Sequence, residues 1–122
     1  NQLNIEKIVK PFMMLRILNP LAIFKNLKLE NSNIKIYIED KILKENTGRY
    51  SLNNEIIFSN IKEEKASYDL KIDIGDLVFL ITGYFSIDNL IKLRKINIKN
   101  KNVIKKLNKI FNKRNSYLYE FI

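Results

Sequence analysis

The chain has 122 residues, enough for one domain with a real core, and a hydrophobic content of 46% excludes a disordered tail. It contains no cysteine and no histidine, which excludes disulfides, thiolate catalysis, zinc–sulfur sites and every nucleophile–histidine pair, and fits a reducing cytoplasm. The formal charge is +9, and residues 92–122 carry ten Lys/Arg against one Asp/Glu, so the excess sits in the last quarter.

Phe12-Met13-Met14-Leu15-Arg16-Ile17, preceded by Pro11, reads as a short buried strand. Asn19-Pro20 supplies a helix cap and a proline at the first helical position, so a short helix is predicted over Leu21–Leu27, with Leu21, Phe24 and Leu27 on one side. From Asn33 the period becomes two. Ile34, Ile36 and Ile38 alternate with Lys35, Tyr37 and Glu39, the pattern of a strand with one buried face. Asp40-Lys41 and Asn46-Thr47-Gly48 are turn signals. Strands over Arg49–Leu52 and Glu55–Phe58 follow, joined at Asn53-Asn54, whose tolerance of positive φ suits a tight hairpin.

Tyr68–Ile74 alternates again and ends near a cap at Asp73. Asp76–Thr82 is apolar nearly all round and reads as a buried short helix stopped at Gly83. Ser86 caps a further helix with Ile87, Leu90 and Ile91 inward, and Ile96-Asn97-Ile98 is a brief extended segment. Val103, Ile104, Leu107, Ile110 and Phe111 recur at helical spacing, with Lys105, Lys106 and Lys109 outside. The fold class expected is α+β: a single domain, residues 1–122, with a mostly antiparallel sheet of about five strands covered by short helices.

The chemistry-bearing residues are few. The carboxylates Glu39-Asp40, Glu63-Glu64, Asp69 and Asp73 fall in turns, loops and strand edges, where surface or structural roles are expected, and no oxygen-ligand metal loop can be written. Gly48, Gly75 and Gly83 are isolated, so there is no phosphate-cradling motif. The basic segment Lys92–Arg114 holds one aromatic, the inward Phe111, which disfavours a nucleic-acid stacking platform. Phe12, Met13, Met14, Phe24, Phe79, Phe85 and the 103–111 helix face could line a lipid tunnel, although at such spacing they are expected to pack as an ordinary core. No run approaches the length of a membrane span, and no membrane partner is expected.

Chain termini are normally polar and frayed. This chain closes on Tyr117-Leu118-Tyr119-Glu120-Phe121-Ile122, and a docked end would hold the Ile122 α-carboxylate in place, where it could orient an amine or accept a proton. Docking for packing alone is the plainer alternative. The chain opens at Asn1 rather than Met, and a piece of a longer protein is expected.

Pro11–Ile17, Asp69–Ile74, Leu80-Ile81-Thr82-Gly83-Tyr84 and Tyr117–Ile122, in that order and spacing, resemble the C-terminal domain of the enhanced-intracellular-survival (Eis) family of acetyltransferases. The resemblance implies a sterol-carrier-protein-like domain that follows two GNAT-like domains in a parent chain, with homo-oligomers among its members. It implies acetyl transfer from acetyl-coenzyme A to amines, with that cofactor held in the GNAT portion and none in this chain, so the domain alone is not expected to turn over substrate. It also implies that Ile122 lends its terminal carboxylate to the active site as general base, with Glu120 and Phe121 beside the amine pocket. Relatives commonly end on an aromatic residue, whereas Ile122 is aliphatic. The alternative function is a free-standing sterol-carrier-like module that binds a lipid or acyl chain.

Overall fold

The computed structural model describes residues 19–26, 29 and 31–111. The expected strand at Phe12–Ile17, Leu27, and the terminal segment Tyr117–Ile122 with Glu120, Phe121 and Ile122 therefore lie outside the described residues.

A helix, α1 (Pro20–Asn26), opens the described fold. The Asn19 side chain accepts from the Ala22 N–H at 3.3 Å, as an N-cap does. Its buried face is carried by Ile23 and Phe24, both fully enclosed, rather than by Leu21, which is half-buried. After Leu29, Asn31 and Asn33 take positive φ (69° and 56°), and their N–H groups bond to Asn53 and Leu52 carbonyls at 2.6 and 2.8 Å. Asn tolerates this left-handed backbone better than other side chains do. The sequence reading put positive φ at Asn53-Asn54. The hairpin there instead uses three residues, Asn53, Asn54 and Glu55, between Leu52 and its register partner Ile56.

The sheet has five strands: β1 (Ile34–Glu39), β2 (Gly48–Leu52), β3 (Ile56–Ser59), β4 (Leu70–Asp73) and β5 (Ile96–Ile98). Their order is β3-β2-β1-β4-β5, antiparallel at every step except the central β1–β4 pair, which is parallel. A parallel neighbour needs a crossover. Here residues 60–69 make it, leaving the β3 edge and recrossing the sheet to enter β4. The α+β class and the mostly antiparallel sheet agree with the sequence reading.

Three more α-helices follow β4: α2 (Ile74–Ile81), α3 (Ile87–Lys92) and α4 (Val103–Phe111). Asp73 caps α2, its carboxylate accepting from the Gly75 N–H at 2.9 Å. The helix ends where Gly83 turns to φ 76°; the Gly83 and Tyr84 N–H groups reach back to Leu80 and Phe79 carbonyls at 3.1 and 2.9 Å. This paired return satisfies carbonyls that would otherwise be orphaned. Ser86 and Asn89 cap α3 reciprocally, each side chain accepting from the other's N–H. Ile87 and Leu90 face inward, but Ile91 is 37% exposed and does not belong to the inner stripe the spacing suggested.

The core lies on one side of the sheet. Ile34, Ile36, Ile38, Tyr50, Leu52, Leu70 and Ile72 project into it and meet Phe24, Leu77, Val78, Leu80, Leu90, Val103 and Leu107 from the helices. Phe79 and Phe85 are half-buried against the same cluster. Phe24 stacks at 5.6 Å on Tyr50, and Tyr50 at 4.7 Å on Phe58.

Candidate functional site

The other side of the sheet carries the polar chemistry. By register, Ser59, Arg49, Tyr37, Lys71 and Asn97 form one row across all five strands, with Glu39 beside Asp73 one row further along. Side chains alternate between faces, so this row is fixed by the same register that sends the isoleucines inward.

The crossover 60–69 lies against this row. Tyr37, which the alternation predicted as exposed, is 4% exposed, packed with Ala66, Tyr68 and half-buried Ile61 in a second apolar cluster. Its hydroxyl donates to the Ile61 carbonyl at 2.9 Å, and its ring lies 5.6 Å from that of Tyr68. Arg49 donates from Nη1 to the Ser67 carbonyl at 3.2 Å, while its Nε is buried with no hydrogen-bond partner. The Glu63 carboxylate holds Lys71 Nζ at 2.6 Å and accepts from the Tyr68 hydroxyl at 2.9 Å. The Lys99 ammonium sits 4.1 Å above the Tyr68 ring.

Four of the six carboxylates singled out in the sequence hold the structure together. Asp40 is 3% exposed and organises the 40–47 loop: it accepts from the Ile42 and Leu43 N–H groups at 3.0 and 2.9 Å and from Asn46 Nδ2 at 3.1 Å. Thr47 closes the loop, its hydroxyl accepting from the Asp40 N–H at 2.9 Å. Asp69 accepts from the Lys35 N–H at 2.8 Å and from Asn100 Nδ2 at 3.1 Å, stitching β1 to the start of β4 and the end of β5. Asp73 is a helix cap, and Glu63 anchors the crossover. Structure therefore occupies four carboxylates that could have been acids or bases.

The electrostatics agree. The hydrogen bond from Lys71, then that from Tyr68, holds the Glu63 carboxyl below its ordinary range, and Glu63 in turn raises Lys71. Burial pushes the Tyr37, Tyr50 and Tyr68 hydroxyls upward, so all three are neutral donors at pH 7. Asp76, in the first turn of α2, is raised by burial and then by the Asp73 charge, against an opposing pull from Lys95. Between the 40–47 loop and the crossover runs a groove of about 660 Å³, with Tyr37, Thr47, Asn60 and Ile61 on its walls and Lys41, Lys44 and Lys62 around it. The carboxylates of Glu39 and Asp40 also line the groove, Asp40 being already engaged by the 40–47 loop. Sequence reasoning singled out Asp40 as a turn carboxylate but missed Tyr37 in the groove and Arg49 under the crossover.

A family model described as sterol carrier protein domain matches residues 17–119. The chain belongs to that family. The sterol carrier domain also shares its fold with part of Eis1 from Mycobacterium abscessus, at a TM-score of 0.53 and 16% sequence identity. That likeness covers 64% of this chain and 19% of Eis1, so the domain corresponds to about a fifth of the longer protein. No curated protein matches the chain in sequence. The resemblance read from the four sequence motifs is thus matched at the level of the fold.

Proposed function

We propose that this sterol carrier domain is the C-terminal accessory domain of an acetyl-coenzyme A-dependent amine N-acetyltransferase of the Eis type. The observation that supports this reading most directly is the shared fold with a fifth of Eis1, together with the motifs in Eis order. GNAT-like domains of the same parent chain would bind acetyl-coenzyme A. Among the described residues, Asp40, Asp69, Asp73 and Glu63 are committed to a loop, a strand junction, a helix cap and an ion pair. The domain's catalytic contribution in this reading is the α-carboxylate of Ile122, acting as general base with Glu120 and Phe121 at the amine pocket.

A carboxylate used this way must sit within hydrogen-bond reach of the amine, so its position tolerates little change. Acetyl-coenzyme A turnover by the full-length parent tests the assignment. Appending one residue after Ile122 is expected to lower kcat by at least about 100-fold, the scale of a lost general base, while the isolated domain shows no turnover. Normal rates from the extended parent would remove the terminal-base role and leave the domain as scaffold.

The second reading, a free-standing lipid or acyl-chain carrier, is favoured by the family match itself. Against it, Phe24, Phe79 and Phe85, which could have lined a tunnel, pack against the aliphatic core instead. Native mass spectrometry separates the two readings: a co-purified lipid would support the carrier.

A further inference from the structure

A second cavity, of about 230 Å³, opens at the end of the sheet where β1 and β4 finish and β5 begins. Glu39 closes β1 and Asp73 closes β4, and the parallel register sets them side by side. Ile72 pairs with Ile96, so Asp73 and Lys95 follow at the same end of the antiparallel β4–β5 pair. Arg94 stands next to Lys95 on the cavity wall. The Glu63–Lys71 ion pair also lines the cavity, and its two charges cancel.

The four remaining charges are not spent on one another. Among the described residues, Glu39, Asp73, Arg94 and Lys95 form no ion pair. Lys95 draws the Asp76 carboxyl down against its burial, yet forms no ion pair with it. The Glu39 side chain has no hydrogen-bond partner among the described residues, and Asp73 spends one oxygen, Oδ2, on the Gly75 N–H. Adjacent carboxylates on neighbouring strands repel, and an ammonium group between them would relieve that cost. The two cations are set by their turn. Arg94 takes φ 57°, and the Arg94 and Lys95 N–H groups bond back to Ile91 and Leu90 carbonyls at 3.1 and 2.9 Å.

Carboxylates on the β1–β4 side and cations on the β5 side complement a solute that carries both charges. A simple anion would meet the carboxylates and a simple cation would meet the Arg and Lys, so neither satisfies the cavity. Its volume is below the roughly 300–1,000 Å³ of pockets for drug-sized ligands, so the solute is small. We propose that this cavity binds a small free α-amino acid, its carboxylate on Arg94 and Lys95 and its ammonium between Glu39 and Asp73. The inference is independent of the acetyltransferase reading.

Titration of the isotope-labelled 122-residue chain with L-serine, followed by amide chemical shifts, tests it. Saturable shifts centred on Glu39, Asp73, Arg94 and Lys95 are expected, with a Kd on the order of 1 mM. L-serine methyl ester lacks the carboxylate, and N-acetyl-L-serine lacks the ammonium. Each is expected to bind at least about tenfold more weakly, the scale of one lost charge-assisted contact. Arg94→Gln and Glu39→Gln are expected to weaken L-serine binding by about tenfold as well. Lys41→Gln removes the same charge as Arg94→Gln but lies outside the cavity, and is expected to leave affinity unchanged. Arg94 and Lys41 are exposed and Glu39 half-buried, and unchanged thermal melts confirm folded variants. No saturable shift up to about 20 mM L-serine overturns the proposal. So does an ester or N-acetyl derivative that binds as tightly as L-serine, because the cavity then reads one charge rather than two. Equal weakening by Lys41→Gln also overturns it, since binding then follows net charge rather than the cavity.

Discussion

The two faces of the sheet bury residues by different rules. On the inner face, Ile34, Ile36 and Ile38 of β1 sit opposite Leu52, Tyr50 and Gly48 of β2, and helices close over them. On the outer face of the same strand, Tyr37 is buried nearly as deeply, yet its cover is a loop that arrives from the β3 edge. The inner face is held by non-directional apolar contact. The outer face depends on directed bonds: Tyr37 to the Ile61 carbonyl, Arg49 to the Ser67 carbonyl, Glu63 to Lys71 and Tyr68. A five-stranded sheet with helices on one side thus has its second face covered by a strapped-down crossover rather than by a helix.

If that division holds, truncation on the inner face should cost far more than on the outer. Leu70 is 1% exposed in the middle of the core, and Leu70→Ala is expected to destabilise by about 2–5 kcal/mol through lost burial and a residual cavity. Denaturant unfolding measures it; a loss below about 1 kcal/mol would mean that the inner face repacks freely. The comparison sharpens at Asp40, the point where the polar chemistry is itself buried. Asp40→Ala removes the acceptor of the Ile42 and Leu43 N–H groups and the bond from Asn46 Nδ2, at a cost of about 1–3 kcal/mol. That change is expected to loosen the 40–47 loop first, which amide hydrogen exchange would register as lost protection at Leu43 and Asn46.

Most of the inner face was legible in the sequence because period-two isoleucines and cap-and-stop signals are local. Ile34–Ile38, Asp73, Gly83 and Ser86 each declare an element or an end without knowledge of the rest of the chain. The residues misread depend on distant partners. Tyr37 sits at a polar phase of its strand, and only the return of residues 61–68 buries it. Ile91 has helical spacing but lies on the solvent side of a helix only six residues long. The hairpin loop adds Glu55 to Asn53 and Asn54, and the positive φ falls instead at Asn31 and Asn33, whose N–H groups bond to the Asn53 and Leu52 carbonyls. The candidate site was the least legible part: Arg49, Tyr37 and Lys71 are neighbours only through the sheet register.

The smallest expected effect lies at Glu63, where the outer face can be loosened by pH alone. Its carboxyl is held below its ordinary range by the hydrogen bonds from Lys71 and Tyr68, so the folded state favours the charged form. A depressed folded pKa contributes stability that is present above the unfolded value, about 4.3 for a glutamate, and is lost as pH falls through the folded value. Both partners are partly solvated, with side chains 39% and 26% exposed, so the pair is worth at most about 1 kcal/mol. The Glu63→Gln variant should therefore be slightly less stable than the parent at pH 7, and the gap should close as the pH approaches 3. Thermal melts across that range measure it. A gap that stayed constant with pH would mean that Glu63 holds the crossover by shape rather than charge, and the outer face would then obey the same packing rule as the inner one.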